Sequence, residues 1–157
     1  MSITYMLDFS QMVLRLALAL LLGALIGIER EAVGKKEAGI RTTMLVSAGA
    51  AIFSMIAILL PYIISTSPEQ IPEIIARNSG FLGVIANIVV GIGFLGGGII
   101  IKNQEHAHGV TTAALIWVAA AIGILCGIGL AQFAVTATII LAGLLYLLRD
   151  VKIKKID

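Results

Sequence analysis

The side chains here that could hold a metal or move a proton are few and scattered. His106 and His108 form a His-x-His pair with Glu105 beside them. That spacing can present two nitrogen ligands to a transition metal. Two imidazoles and one carboxylate fall short of a closed ligand set, so an ordinary polar loop is the simpler reading. No nucleophile stands in a pattern with a base and an orienting group. No carboxylate cluster supports hydrolysis or a two-metal site. The glycine-rich run from Gly91 to Gly98 lacks the Lys-Ser/Thr that follows a phosphate-binding loop and the strand that precedes one. The sequence therefore reads as non-enzymatic, with no cofactor and no metal site.

A second group of polar residues lies in or beside apolar stretches. Arg15 sits a turn or two into the first of them. It can snorkel to the near surface or pair with a carboxylate, and its long stem favours snorkelling. Glu29 and Arg30 close that stretch, while Arg41 and Thr42 open the next at the same depth. A Glu29–Arg41 ion pair would fix the first two helices together; otherwise all four are ordinary interfacial groups. Asn87 is a side-chain amide deep in an apolar run, where bonding to a neighbouring helix is the expected use. Thr111 and Thr112 begin a later run, and Trp117, in mid-run, reads as a packing residue. Cys126 is the only cysteine, so no intrachain disulfide is possible, and it reads as a small buried hydrophobe.

The elements that must position these residues are set by gaps in charge. No Asp, Glu, Lys or Arg occurs between Arg41 and Glu69, between Arg77 and Lys102, or between Glu105 and Arg149. A hydrocarbon layer about 30 Å thick needs roughly 20 apolar residues in helix. With 59% hydrophobic and 13% charged residues, the chain is an integral membrane protein. Expected spans are 12–28, 41–64 and 80–101. The apolar run from His106 to Leu148 is too long for one straight span and must fold back. Two glycines place the turn at Cys126–Gly129, giving spans 110–126 and 130–148. The fold class is thus all-α, a bundle of five transmembrane helices, read as one membrane domain over 1–157 with no C-terminal soluble domain. The N-terminus has no basic n-region, so the first apolar stretch is expected to stay.

Between the second and third spans, Ser67, Pro68 and Gln70 resemble an N-cap, a first-turn proline and a capping-box residue. Ile71, Ile74 and Ile75 then share a helical face, which predicts a short amphipathic surface helix. Nine of the 11 basic residues fall on one side of the five-span layout: Arg30, Lys35, Lys36, Arg41, Lys102, Arg149, Lys152, Lys154 and Lys155. That side should be cytoplasmic, with the N-terminus outside and the C-terminus inside. A net charge of +2 gives no reason to expect nucleic acid as a partner.

Glycine is abundant inside the spans. Gly23 and Gly27, Gly93 and Gly97, and Gly123 and Gly127 each form a GxxxG step, which lets helix backbones approach closely. Glycine falls on every side of the third span, at Gly91, Gly93, Gly96, Gly97 and Gly98. Such a helix should be surrounded by partners, or be unwound with free carbonyls lining a site.

Four segments, LRLALALLLGALIGIERE (14–31), AGIRTTMLVSAGAAIF (38–53), GIGFLGGGIII (91–101) and GVTTAALIWVAAAIGILCGIG (109–129), resemble in order and spacing the N-terminal membrane domain of the MgtC/SapB family. The resemblance implies a multi-pass protein of the bacterial inner membrane with five spans. It also implies a link to growth at low magnesium and to survival inside host cells, by a regulatory role rather than direct transport. The family's signature positions map onto Arg15, Glu29, Arg30, Gly39, Arg41, Thr42, Gly91, Gly93, Gly96, Thr111, Thr112 and Trp117. Two features depart from the family pattern. Many relatives continue into a cytoplasmic ACT-type domain. Many also carry Arg-Ile-Ala-Ala-Gln before the glycine motif, where this chain has Gly83-Val-Ile-Ala-Asn87.

The expected function is a regulatory or accessory factor in magnesium homeostasis, acting by helix contacts with other membrane proteins in the bilayer. The alternative is a small transporter or channel for magnesium or another ion, formed by an oligomer. A homo-oligomer is expected in either case, because five short glycine-rich helices leave packing faces unused.

Overall fold

The structure is a computed structural model. It describes residues 8–32, 39–77, 80–102 and 107–148, without the side chains of 29, 30, 32, 80, 81, 101 and 102. Six α-helices are described: α1 Phe9–Ala32, α2 Ile40–Ile64, α3 Ile71–Arg77, α4 Gly80–Ile99, α5 Val110–Ile128 and α6 Ala131–Leu148. All but α3 are long and apolar enough to cross a membrane, giving five candidate spans. Each has the roughly 18 or more residues that a hydrocarbon core demands.

The centre of the bundle is built on missing side chains. A Cβ added to Gly23 of α1 would lie 2.7 Å from the Thr43 carbonyl oxygen and 2.9 Å from the Ser47 Cβ. One added to Gly27 would meet the Thr43 hydroxyl and lie 2.6 Å from the Ile40 Cα. From α5, a Cβ on Gly123 would strike the Ser47 carbonyl, and one on Gly127 would lie 2.6 Å from the Ala51 carbonyl oxygen. Helix α2 is therefore gripped by two GxxxG faces at once. Its own contacting residues, Thr43, Ser47, Ala51 and Ser54, are small and buried. In lipid, where apolar burial gives little drive, such contact replaces tail–protein dispersion with closer protein–protein dispersion.

Larger side chains fill the space beside this seam, among them the fully buried Ile26, Ile116 and Ile122. Buried hydroxyls are satisfied within their own helix: Ser54 donates to the Ala50 carbonyl at 2.8 Å and Thr138 to Ala134 at 2.8 Å. Ser47 is the exception; its Oγ is buried with no hydrogen-bond partner. Helix α6 packs on α1 and α5, and α4 packs on α5 and α2.

The predicted hairpin between the last two spans is present. Gly129 adopts φ +91°, and the N–H groups of Gly129 and Leu130 donate to the Cys126 and Leu125 carbonyls at 3.0 and 2.9 Å. This is the left-handed glycine stop that ends many helices.

The class is all-α as expected, and two other expectations change. The one addition to the helices among the described residues is a two-residue antiparallel pair, β1 Ile101–Lys102 with β2 Ala107–His108. Strands this short show no alternation for a sequence reading to detect. A short helix is present where one was expected, as a 3-10 turn at Pro68–Gln70 running into α3, but its cap is displaced. Ser67 makes no side-chain cap bond, and Gln70 Oε1 instead accepts from the N–H and hydroxyl of Thr66, at 3.1 and 2.8 Å. The third span, α4, is one unbroken helix, yet it is neither central nor surrounded. Only 6% of its spanning window is buried, because the bundle centre is already occupied by the α1–α2–α5 glycine seams.

Candidate functional site

Two places collect the residues singled out from sequence. The first is the hairpin end of the bundle. The glycine stop of α5 satisfies the Leu125 and Cys126 carbonyls, leaving that of Gly127. Arg15, half-buried on α1, donates to it from Nη1 at 2.8 Å. A guanidinium there also faces the negative end of the α5 dipole. Arg15 therefore caps a helix, a use not among the two expected for it, snorkelling and pairing with a carboxylate. A backbone carbonyl at a helix end offers the charge an acceptor inside the protein, an option that residue types alone do not reveal.

The second place is the flank formed by α2 and α4. A lateral groove of about 510 Å³ runs between them, lined by Leu45, Gly49 and Phe53 from α2 and by Val84, Asn87 and Gly91 from α4. Its wall is apolar except for the Asn87 amide. Among the described residues none hydrogen-bonds the Asn87 side chain, which is exposed. Bonding to a neighbouring helix was the expected use; among the described residues the amide instead faces the groove. Gly91 and Gly93 have open space around them. Gly96 faces the other way: a Cβ added to it would lie 3.5 Å from the Ala113 Cβ of α5, an ordinary van der Waals contact.

The remaining candidates are dispersed. Arg41 is exposed in the first turn of α2, and Thr42 is half-buried, its N–H donating to the Gly39 carbonyl at 3.1 Å. The carboxylate near this helix start belongs to Glu31, whose Oε2 lies 3.5 Å from the Ile40 N–H. The proposed Glu29–Arg41 pair lies outside the described residues, as do the side chains of Glu29 and Arg30. The same is true of Lys35, Lys36, Glu105, His106 and the tail from Arg149. Thr112 is buried, while Thr111 is exposed beside a small apolar pocket that includes Ile26, Leu115 and Leu144. Trp117 is mid-span, but half its surface faces outward, so it packs less than expected. Among the described residues no group of three or more His, Cys, Asp or Glu could hold a metal.

Ser47 and the α2 wall of the groove were not anticipated. Thr43, Ser47 and Ala51 recur every four residues, a small-residue face that could have marked α2 as the central helix.

The MgtC family's sequence model matches residues 16–153. This span takes in the Arg15-to-hairpin bundle almost whole. The chain belongs to the MgtC family. Among curated MgtC-family relatives, Protein MgtC of Salmonella typhimurium is 41% identical over 88% of this chain and 52% of its own length. Protein MgtC of Brucella abortus is 42% identical over 85% of this chain and 50% of its own. An uncharacterized Synechocystis protein is 40% identical over 82% of this chain and 48% of its own. The chain thus spans about half the length of these curated relatives. No solved structure matches it.

Proposed function

We propose that this MgtC-family membrane domain is a regulatory or accessory component of magnesium homeostasis in the bacterial inner membrane, working by helix contacts with membrane partners. The observation that carries this reading is α4, a spanning helix with only 6% of its window buried, which lines an apolar groove bearing one amide and has open glycines on its outer face. A helix with that surface is built for association. In the proposed topology the basic ends are cytoplasmic and the N-terminus is outside.

Direct transport is the second reading. Magnesium keeps its waters and prefers carboxylate ligands. The described carboxylates, Asp8, Glu31, Glu69 and Glu73, are all exposed at or beyond helix ends, and none lies mid-span. Purified protein in liposomes loaded with a magnesium-sensitive dye distinguishes the two. The regulatory reading expects no flux above empty liposomes. Flux that disappears in Gly96→Leu or Glu29→Gln would establish transport instead.

A further inference from the structure

We propose that the α4 flank is a self-association surface and that a second copy of this chain covers it, α4 against α4, with the two Asn87 amides bonded to each other. This deepens the association reading of the same helix, and its readout is independent of magnesium flux.

The argument starts from Asn87. It is the eighth residue of α4, about 10 Å along the helix, with no bonding partner among the described residues. A side-chain amide in hydrocarbon loses the hydrogen bonds water would give it, and lipid tails offer none. The amide carries both a donor and an acceptor, so an identical amide at the same depth is its complement. All copies of one chain enter the membrane with a single orientation. A two-fold axis along the membrane normal therefore brings like residues to like depths.

The shape of the face agrees. Val84, Asn87, Gly91, Phe94 and Gly98 follow one another at alternating steps of three and four. That is the seam of a left-handed helix pair, in which a single polar position fixes register and partner number. Phe94 is 88% exposed, while Gly91 and Gly98 on either side of it have open space where a Cβ would be. A partner's Phe94 packs into the hole these glycines leave, so the surface is complementary to itself. The groove shared with α2 continues this face, since Val84, Asn87 and Gly91 line both.

The test uses the full chain in native membranes with Cys126→Ala as background. Single cysteines replace Val84, Phe94 or Gly98 on the seam, and Leu82 or Val89 off it. Oxidative cross-linking is expected to give dimer at the seam positions at least about five times more efficiently than at the control positions. Equal yields, or no dimer anywhere, overturn the proposal. Resonance transfer between labelled copies in liposomes is then measured for Asn87→Val and Asn87→Gln, with the melting point of each confirming that it folds. Asn87→Val should weaken association about three- to tenfold, and Asn87→Gln should stay within about twofold of the parent. Undiminished association of Asn87→Val overturns the proposal. So does a parent that stays monomeric at every protein-to-lipid ratio with a lipid or another protein bound to this face.

Discussion

Arg15 and Gly129 are fitted to one another across the hairpin end of the bundle. A Cβ on Gly129 would lie 2.8 Å from the Arg15 Nη2, and Gly129 already holds φ +91°, where other L-residues are strained. The glycine turns the chain and leaves room for the guanidinium that caps the preceding helix. First and fourth spans are thereby tied at a point far apart in sequence.

Removing that tie has a cost that can be measured. Arg15→Ala leaves the Gly127 carbonyl without its charged donor and should lower stability by about 1.5–3 kcal/mol. Gly129→Ala should destabilise by at least about 1 kcal/mol through backbone strain, with the crowded guanidinium adding to it. Because both act on one contact, the double variant should fall short of the sum of the two. Thermal unfolding in detergent reads all three.

Two glycine substitutions separate seam from surface. Gly123→Ala drives a methyl into the Ser47 backbone and should cost about 1–3 kcal/mol. Gly143→Ala on α6 meets nothing within 4 Å. It should leave the melting temperature unchanged or raise it, because alanine is the better helix residue.

Ser47 makes the opposite prediction from its neighbour Ser54. Ser47→Ala removes a buried hydroxyl with no partner and should be neutral or stabilising. Ser54→Ala breaks the bond to Ala50 and should cost about 0.5–1.5 kcal/mol. A melting point lower for Ser47→Ala than for Ser54→Ala contradicts this account of the seam.

The Glu73–Arg77 ion pair on α3 spans 2.7 Å, but its side chains are 62% and 77% exposed. Solvent screening should hold the effect of Arg77→Ala to within about 0.5 kcal/mol, and added salt should reduce it further.

The spans were legible in sequence because bilayer thickness fixes the length of an uncharged run, and the Cys126–Gly129 turn because only one place allowed the long run to fold back. The use of each glycine was not. Gly23, Gly27, Gly123 and Gly127 meet a neighbour, while Gly91, Gly93 and Gly97 meet nothing, although all belong to runs of the same composition. Spacing marks a face as smooth but does not say which helix lies against it. Arg15 escaped for a related reason: its acceptor is a main-chain oxygen, and every residue has one. Asn87 stood out in sequence as the amide within an apolar run, yet its direction depends on where α4 stands, and that was settled by the two faces already claiming α2.

The double grip on α2 also divides the molecule's freedom. A change in any of the small residues where α1, α2 and α5 meet is felt by all three helices together, so that slab has little room to vary. The outward residues of α4 touch none of it. New companions in the membrane can thus be gained or lost by altering one peripheral rod, while the framework that carries it stays as it is.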